Sequence, residues 1–405
     1  VVLTTIGVLV PAHDGRHDVD PAAGGRVGDE AWRASPAEAA DALARFVDGV
    51  VARDVGTLVD LAPPQDRPAE ALLAGIAANA RSLDLRAVGA RHVDQVGTVG
   101  ADGAWTGTVE LTWRVGALDP SPSRAEVAVR FVPAGDGLAI GGFGPDGAAA
   151  DGRLPLWLRD ELAVARARDV LVMVASDRPQ ARAEARAVAR RVVRGIGVVE
   201  RVLPGRTGPV VVEVPGSAAD LEEALGARPG TYAGTAAVTA APGTSVDDDA
   251  PVHVFVNPEV TSMLGRAGAQ AVMSHELVHL VTDAARTPVE PWLLEGFADH
   301  VALRAVLPDR TTLGRLLAEV RRDGAPRALP TAADFDAPGG ALQASYEAAW
   351  LACRIIAERR GEQALVEVYD GAARGVPVER ALARAGLPLA ELAAAWRGEL
   401  TALAR

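Results

Sequence analysis

The chain has 405 residues, 49% hydrophobic but only 4% aromatic, so its cores must be packed mainly with alanine, valine and leucine. That length fits two domains, with room for a third. A net charge of −12 lacks the basic footprint a nucleic-acid partner requires, and a single cysteine, Cys353, excludes an intramolecular disulfide.

Val1 to Val10 is apolar and uncharged and is followed by Pro11-Ala12. Residues 1–12 read as a truncated signal or membrane-anchor segment, the alternative being a buried strand. The expectation is a protein exported, extracellular or anchored to the outer face of the cell membrane. Residues 13–34 are rich in Gly, Asp and Ala without periodicity, a flexible linker in which His13 and His17 are solvated.

An α+β unit is expected over 35–150. Ser35-Pro36-Ala37-Glu38 is a helix start with proline at the first helical position, and the helix should run to about Arg53. A second helix follows near Pro68 to Ala80. Val109, Leu111, Trp113 and Val115 alternate with polar residues, the period of a half-buried strand. Val127, Val129 and Phe131 repeat it, and Leu138 to Phe143 adds another. This order of elements weakly resembles an NTF2-like cone, which implies an accessory module. His92 with Asp94 reads as a surface pair. Gly144 to Gly152 marks the boundary to a second domain over 151–405.

In that domain Val170 to Val174 is a short buried strand, Pro179 to Leu203 a helix, and Val210 to Val214 and Val252 to Val256 two further strands. His253 alternates with Val252, Val254 and Val256, which predicts a sheet-surface histidine and not a ligand. A strand just before the next helix offers an edge along which an extended peptide can pair. Cys353, in the apolar run 350–356, reads as a buried, inert thiol. Helices are expected over 311–322, 341–359, 362–373 and 389–404, with Gly361 and Gly371 as stops.

Ala269 to Thr282 reads as a helix carrying H-E-x-x-H as His275, Glu276 and His279. Positions i and i+4 share a helix face, so both imidazoles can reach one metal ion, with Glu276 beside them as general base. A catalytic zinc takes three protein ligands and keeps one open position. The H-E-x-x-H-x-x-G-x-x-H pattern would put the third at residue 285, but Thr282 and Ala285 stand at its glycine and histidine positions. Glu295, 16 residues beyond His279, allows the first helix to end, a proline-marked loop to turn, and a second helix to return a carboxylate. Asp299, one turn further on, can hold a ligating imidazole by its other N–H.

These segments, with Trp292-Leu293-Leu294-Glu295-Gly296-Phe297-Ala298 and Tyr346-Glu347-Ala348-Ala349, resemble the gluzincin zinc metallopeptidases, above all their M1-like peptidase-MA group. The resemblance covers roughly Leu154 to the C-terminus. It implies a zincin-like fold, a small sheet with a zinc helix and a helical C-terminal lobe, and one Zn2+ per chain on His275, His279 and Glu295. It also implies Tyr346 as stabiliser of the oxyanion and a peptide or protein as substrate. The G-x-M-E-N loop that grips a free N-terminus in M1 aminopeptidases is missing, so aminopeptidase specificity is not implied. Two other readings are a catalytically silent zinc-bound scaffold or binding protein of the cell envelope, and a zinc hydrolase of a non-peptide bond. Membrane attachment through the N-terminus would accompany the anchor reading.

Overall fold

The computed structural model describes residues 33–144, 152–159, 161–175, 180–245, 247–304, 312–336 and 340–405. The expected anchor over 1–12 and nearly all of the linker over 13–34 lie outside them. No helix among the described residues is long and apolar enough to cross a membrane. The fold is α+β.

The first unit opens with α1 (Pro36–Ala52), where Ser35 Oγ accepts the Glu38 N–H at 3.3 Å and Arg53 ends the helix in the left-handed region, φ 58. After α2 (Val55–Val59) comes α3 (Arg67–Leu83), capped by Asp66. Four strands follow, β1 (Leu85–Val96), β2 (Trp105–Val115), β3 (Ser123–Ala134) and β4 (Gly137–Phe143), antiparallel in sequence order. In β2 every second residue from Trp105 to Val115 is buried, the period read from the sequence. β1 was not anticipated: its pairing slips between Arg86 and Gly89 and again between His92 and Asp94, and bulges there erase the alternation. His92 on that strand is half-buried and packs edge-on to Trp105, ring centroids 5.4 Å apart, while Asp94 is exposed and accepts the Gln95 N–H. They form no surface pair of the expected kind.

The second unit is built on five strands in the order β5 (Leu162–Ala167), β6 (Val170–Ala175), β7 (Val210–Val214), β9 (His253–Val256), β8 (Ala237–Ala240). β6, β7 and β9 are parallel, and the two outer strands run antiparallel to them. α4 (Ala181–Val199) crosses over from β6 to β7, and α5 (Ala218–Leu225) follows β7. The sequence located the three inner strands and missed β5 and β8, which are short and lie at the edges.

Both faces of this sheet are covered. Val170, Val172 and Val174 face the core formed with α4. Leu171 and Met173 face the first unit and join the core of Leu83, Trp113 and Trp157. Burial on both sides is why β6 reads as an unbroken apolar run.

Beyond β9 the chain is helical: α6 (Pro258–Met263), α7 (Arg266–Val281), α8 (Pro291–Leu303), α9 (Gly314–Asp323), α10 (Ala332–Phe335), α11 (Gly340–Arg360), α12 (Glu362–Ala373), α13 (Val378–Arg384) and α14 (Leu389–Leu403). Gly361, at φ 88, separates α11 from α12 as expected, but Gly371 is buried inside α12 and stops nothing.

His253 corrects the sequence reading most sharply. It does face away from Val254, but that side is roofed by the first unit, and the residue is 1% exposed. Nδ1 lies 2.7 Å from Glu213 Oε1 of β7, and Nε2 lies 2.9 Å from Asp119 Oδ1 in the turn between β2 and β3. An imidazole with a carboxylate at each nitrogen donates twice when protonated. Burial alone would lower its pKa; Asp119 and Glu213 outweigh that and raise it to about 10. The folded protein therefore keeps a proton that the unfolded chain releases near its ordinary value of about 6.5. The stabilisation is complete below that value and is lost as pH rises through about 10. Urea unfolding should show the midpoint of the wild type falling between about pH 6.5 and about pH 10, with His253→Gln less stable at the acid end and flatter across the window. Parallel curves for the two proteins would contradict this account.

Candidate metal centre

α7 is not amphipathic; it is buried on all sides from Ala271 to His279. Small residues let neighbours approach it. A Cβ on Gly195 of α4 would stand 2.6 Å from Leu277 Cδ1, so glycine permits the crossing of α4 over α7. After α7 the chain reverses through Asp283, in the left-handed region at φ 48, and the short turn Ala284–Arg286. Pro291 opens α8, and Glu290 accepts the Trp292 indole N–H at 2.8 Å.

Gly296 fixes where α8 lies. A Cβ there would meet the Ala349 carbonyl oxygen of α11 at 2.4 Å and Cys353 Sγ at 2.9 Å. Only glycine allows α8 against α11 at that separation, and this contact carries Glu295 to the imidazoles of α7. Cys353 is fully buried at the same contact, and burial, with Asp299 nearby, pushes its thiol well above its ordinary value. It is packing, as the sequence suggested.

The two histidine rings stand 4.5 Å apart and nearly perpendicular, at 85°. Glu295 Oε2 is 3.1 Å from His275 Nε2 and 3.3 Å from His279 Nε2. Ligand atoms of His275, His279 and Glu295 all lie within 4.8 Å of one another, the one such group of three among the described residues. Two donors bound tetrahedrally to one ion at about 2.0–2.1 Å must themselves be about 3.3 Å apart. The observed separations match that edge, so the three residues form a buried group able to hold a metal ion.

The electrostatics agree. Burial would raise the Glu295 carboxyl, but His279 and His275 outweigh it and hold it at about 2. Burial would lower His275; Asp299 and Glu295 raise it well above its ordinary value. Asp299 Oδ1 lies 2.8 Å from His275 Nδ1, which directs Nε2 at the donor cluster, as the spacing of Glu295 and Asp299 on one helix face suggested.

Glu276 is fully buried next to this group. Burial raises its pKa, opposed by the positive charge of His275 and His279 and by a hydrogen bond from Thr239. Thr239 Oγ1 donates to Glu276 Oε2 at 2.7 Å, and Glu276 Oε1 has no protein partner. Tyr346 lies in α11, 2% exposed, its ring centroid 6.5 Å from that of His275 and 5.4 Å from Phe335. Glu347, next to it, accepts the Leu316 N–H at 2.7 Å in the first turn of α9, a helix cap.

Two site residues were missed. Thr239 sits in the four-residue strand β8, Ala-Val-Thr-Ala, which lacks the run of large apolar residues that marked β9. Tyr369 of α12 stacks on Phe297 at 4.5 Å and donates to Thr282 Oγ1 at 3.0 Å, tying the end of α7 to the helical lobe. Its apolar neighbours gave only a helix pattern. The strand before the metal helix is β9, which is interior; the edge beside the site is β8.

Comparison with protein families, curated proteins and solved structures gives no match to this chain. The geometry alone carries the functional reading.

Asn at position 299 would keep the shape of the His275 contact and remove its charge. Asp299→Asn should weaken metal binding by about 10- to 100-fold in competition with a chromophoric chelator. An unchanged affinity would show that Asp299 does not tune His275.

Proposed function

We propose that this protein is a zinc-dependent peptidase of gluzincin type, with His275, His279 and Glu295 as zinc ligands and Glu276 as general base. The observation that carries the reading is the convergence of three buried donor atoms beside a buried glutamate with one free oxygen. Two imidazoles and one carboxylate are a donor set suited to zinc. When bound, zinc supplies Lewis acidity, bringing the pKa of a coordinated water to about 7 and polarising a substrate carbonyl.

The chain's own groups then divide the work. Glu276 takes a proton at Oε1 and returns it to the leaving amine; its raised pKa brings it closer to neutral, where a base and acid of this kind works best. Thr239 fixes the other carboxylate oxygen and favours the ionised form. Asp299 orients His275. Tyr346, beside His275, stabilises negative charge developing on the substrate oxygen. β8 ends the sheet next to Glu276, and as an edge strand it is the place where an extended peptide would pair.

Glu276→Ala is expected to retain one zinc per chain and to lose peptide hydrolysis by at least about 100-fold. A variant that retains full activity would overturn the role of Glu276. A wild type that binds zinc but cleaves no peptide library would overturn the peptidase reading.

Thr239→Val tests the edge strand. The zinc content should be unchanged and kcat should fall about tenfold, the worth of a hydrogen bond to a charged group. Loss of a donor that favours the ionised carboxylate also moves the acid limb of the kcat/KM profile to higher pH. An identical profile would show that Thr239 merely packs.

A further inference from the structure

The chain is acidic overall, at −12, yet one of its faces is strongly basic. α4 carries five arginines, at 182, 186, 190, 191 and 194, against one acidic residue, Glu184. Four of the five recur at every fourth position. Such neighbours share a helix face and repel one another, which destabilises the helix that bears them.

Arg190, Arg191 and Arg194 line a groove of about 720 Å³ together with Arg266, Ala267 and Gln270 of α7. No acidic side chain is among the residues lining it. The groove is also ordered. Arg194 Nε donates to Gln270 Oε1 at 3.0 Å, and Gln270 Nε2 donates to the Arg191 carbonyl at 3.1 Å. Burial, and the charge of Arg194 beside it, hold Arg191 below the usual arginine range, Glu184 opposing. α7 begins at the groove wall behind Gly265, which offers no capping side chain to the first-turn N–H groups. Those groups add to the positive potential.

A second observation sets the kind of anion. Met263, three residues before Arg266, is 77% exposed, and Val193, next to Arg194, is 48% exposed. They are two of the five large apolar side chains that stand exposed among the described residues. A soluble phosphate has no use for them. A bilayer surface uses both features, guanidinium groups for headgroup phosphates and apolar side chains for the boundary below.

We propose that the groove between α4 and the start of α7 docks the protein onto a membrane surface containing anionic phospholipids. The arginines take headgroup phosphates, and Met263 and Val193 enter the acyl boundary. At 100° per residue, Gln270 and His275 lie about 140° apart around α7. Docking therefore leaves the metal centre on the other side of the helix, and the proposal holds whether or not that centre is catalytic.

The test is co-sedimentation of the full chain with vesicles of phosphatidylcholine alone or with about 30% phosphatidylglycerol. Binding is expected only to the anionic vesicles and should weaken with added salt. Near a charged surface each basic residue contributes about fivefold, so Arg190→Gln with Arg194→Gln should weaken partitioning on the order of 25-fold. Met263→Ser should weaken it further. The unfolding midpoint and metal content of the variants establish that they fold. Equal partitioning to both vesicle types, no partitioning to either, or full binding by the folded double variant would overturn the proposal. So would binding of inorganic phosphate with no vesicle binding.

Discussion

A carboxylate held between two imidazoles, with water excluded from all three, governs how the rest of this chain is arranged. Glu295 is 3% exposed and cannot keep its charge there without positive partners. The neighbouring imidazoles offset that charge, and a cation bound by all three groups would do the same. Asp299 biases His275 by accepting its Nδ1–H, which leaves Nε2 facing Glu295. Bringing the three groups together requires two helices at close quarters within a filled core. Gly195 lets α4 cross α7, and Gly296 lets α8 meet α11. At Gly296 a side chain would strike the Ala349 backbone and displace the helix that carries Glu295.

The same economy extends to the sheet. Its strands are buried on both faces, one by α4 and the helices that carry the donor group, the other by the first unit and, at β8 and β9, by α5. The first unit contributes no residue to the donor group, yet it covers Leu171 and Met173 and supplies Asp119 to His253. Its contribution is to the stability of the sheet that flanks the metal helix. Replacing that roof by water would expose an apolar surface and take Asp119 away from His253, leaving Glu213 as its one carboxylate partner. The charged pair across the junction adds direction to what apolar burial alone would leave unspecific.

Legibility from sequence followed the range of the interactions. His275, Glu276 and His279 were readable because helix geometry places i and i+4 together whatever the surroundings, and Asp299 followed from Glu295 by the same rule. Ser35 and Pro36 announced α1 through local capping chemistry. The alternation of β2 and the apolar run of β6 were equally local. β1 escaped because bulges broke its period, and β5 and β8 because their sequences, LAVARA and AVTA, are alanine-rich and lack the valine runs that marked β6, β7 and β9. His253 was misread since its surroundings come from Asp119, 134 residues away in the chain. Thr239 escaped for both reasons: a strand without an apolar run, and a partner in another element. The helical lobe was found, but Gly371 was misread because glycine inside a packed helix looks like glycine at its end.

The most direct measurement of the central claim is X-ray absorption at the zinc edge on the protein loaded with the metal. The account predicts one zinc per chain, with two imidazole nitrogens and a carboxylate oxygen at about 2.0–2.2 Å and no sulfur. It also predicts that the imidazole contribution falls by half in His279→Ala. A chain that takes up no zinc, or whose zinc environment lacks paired imidazoles, would contradict it.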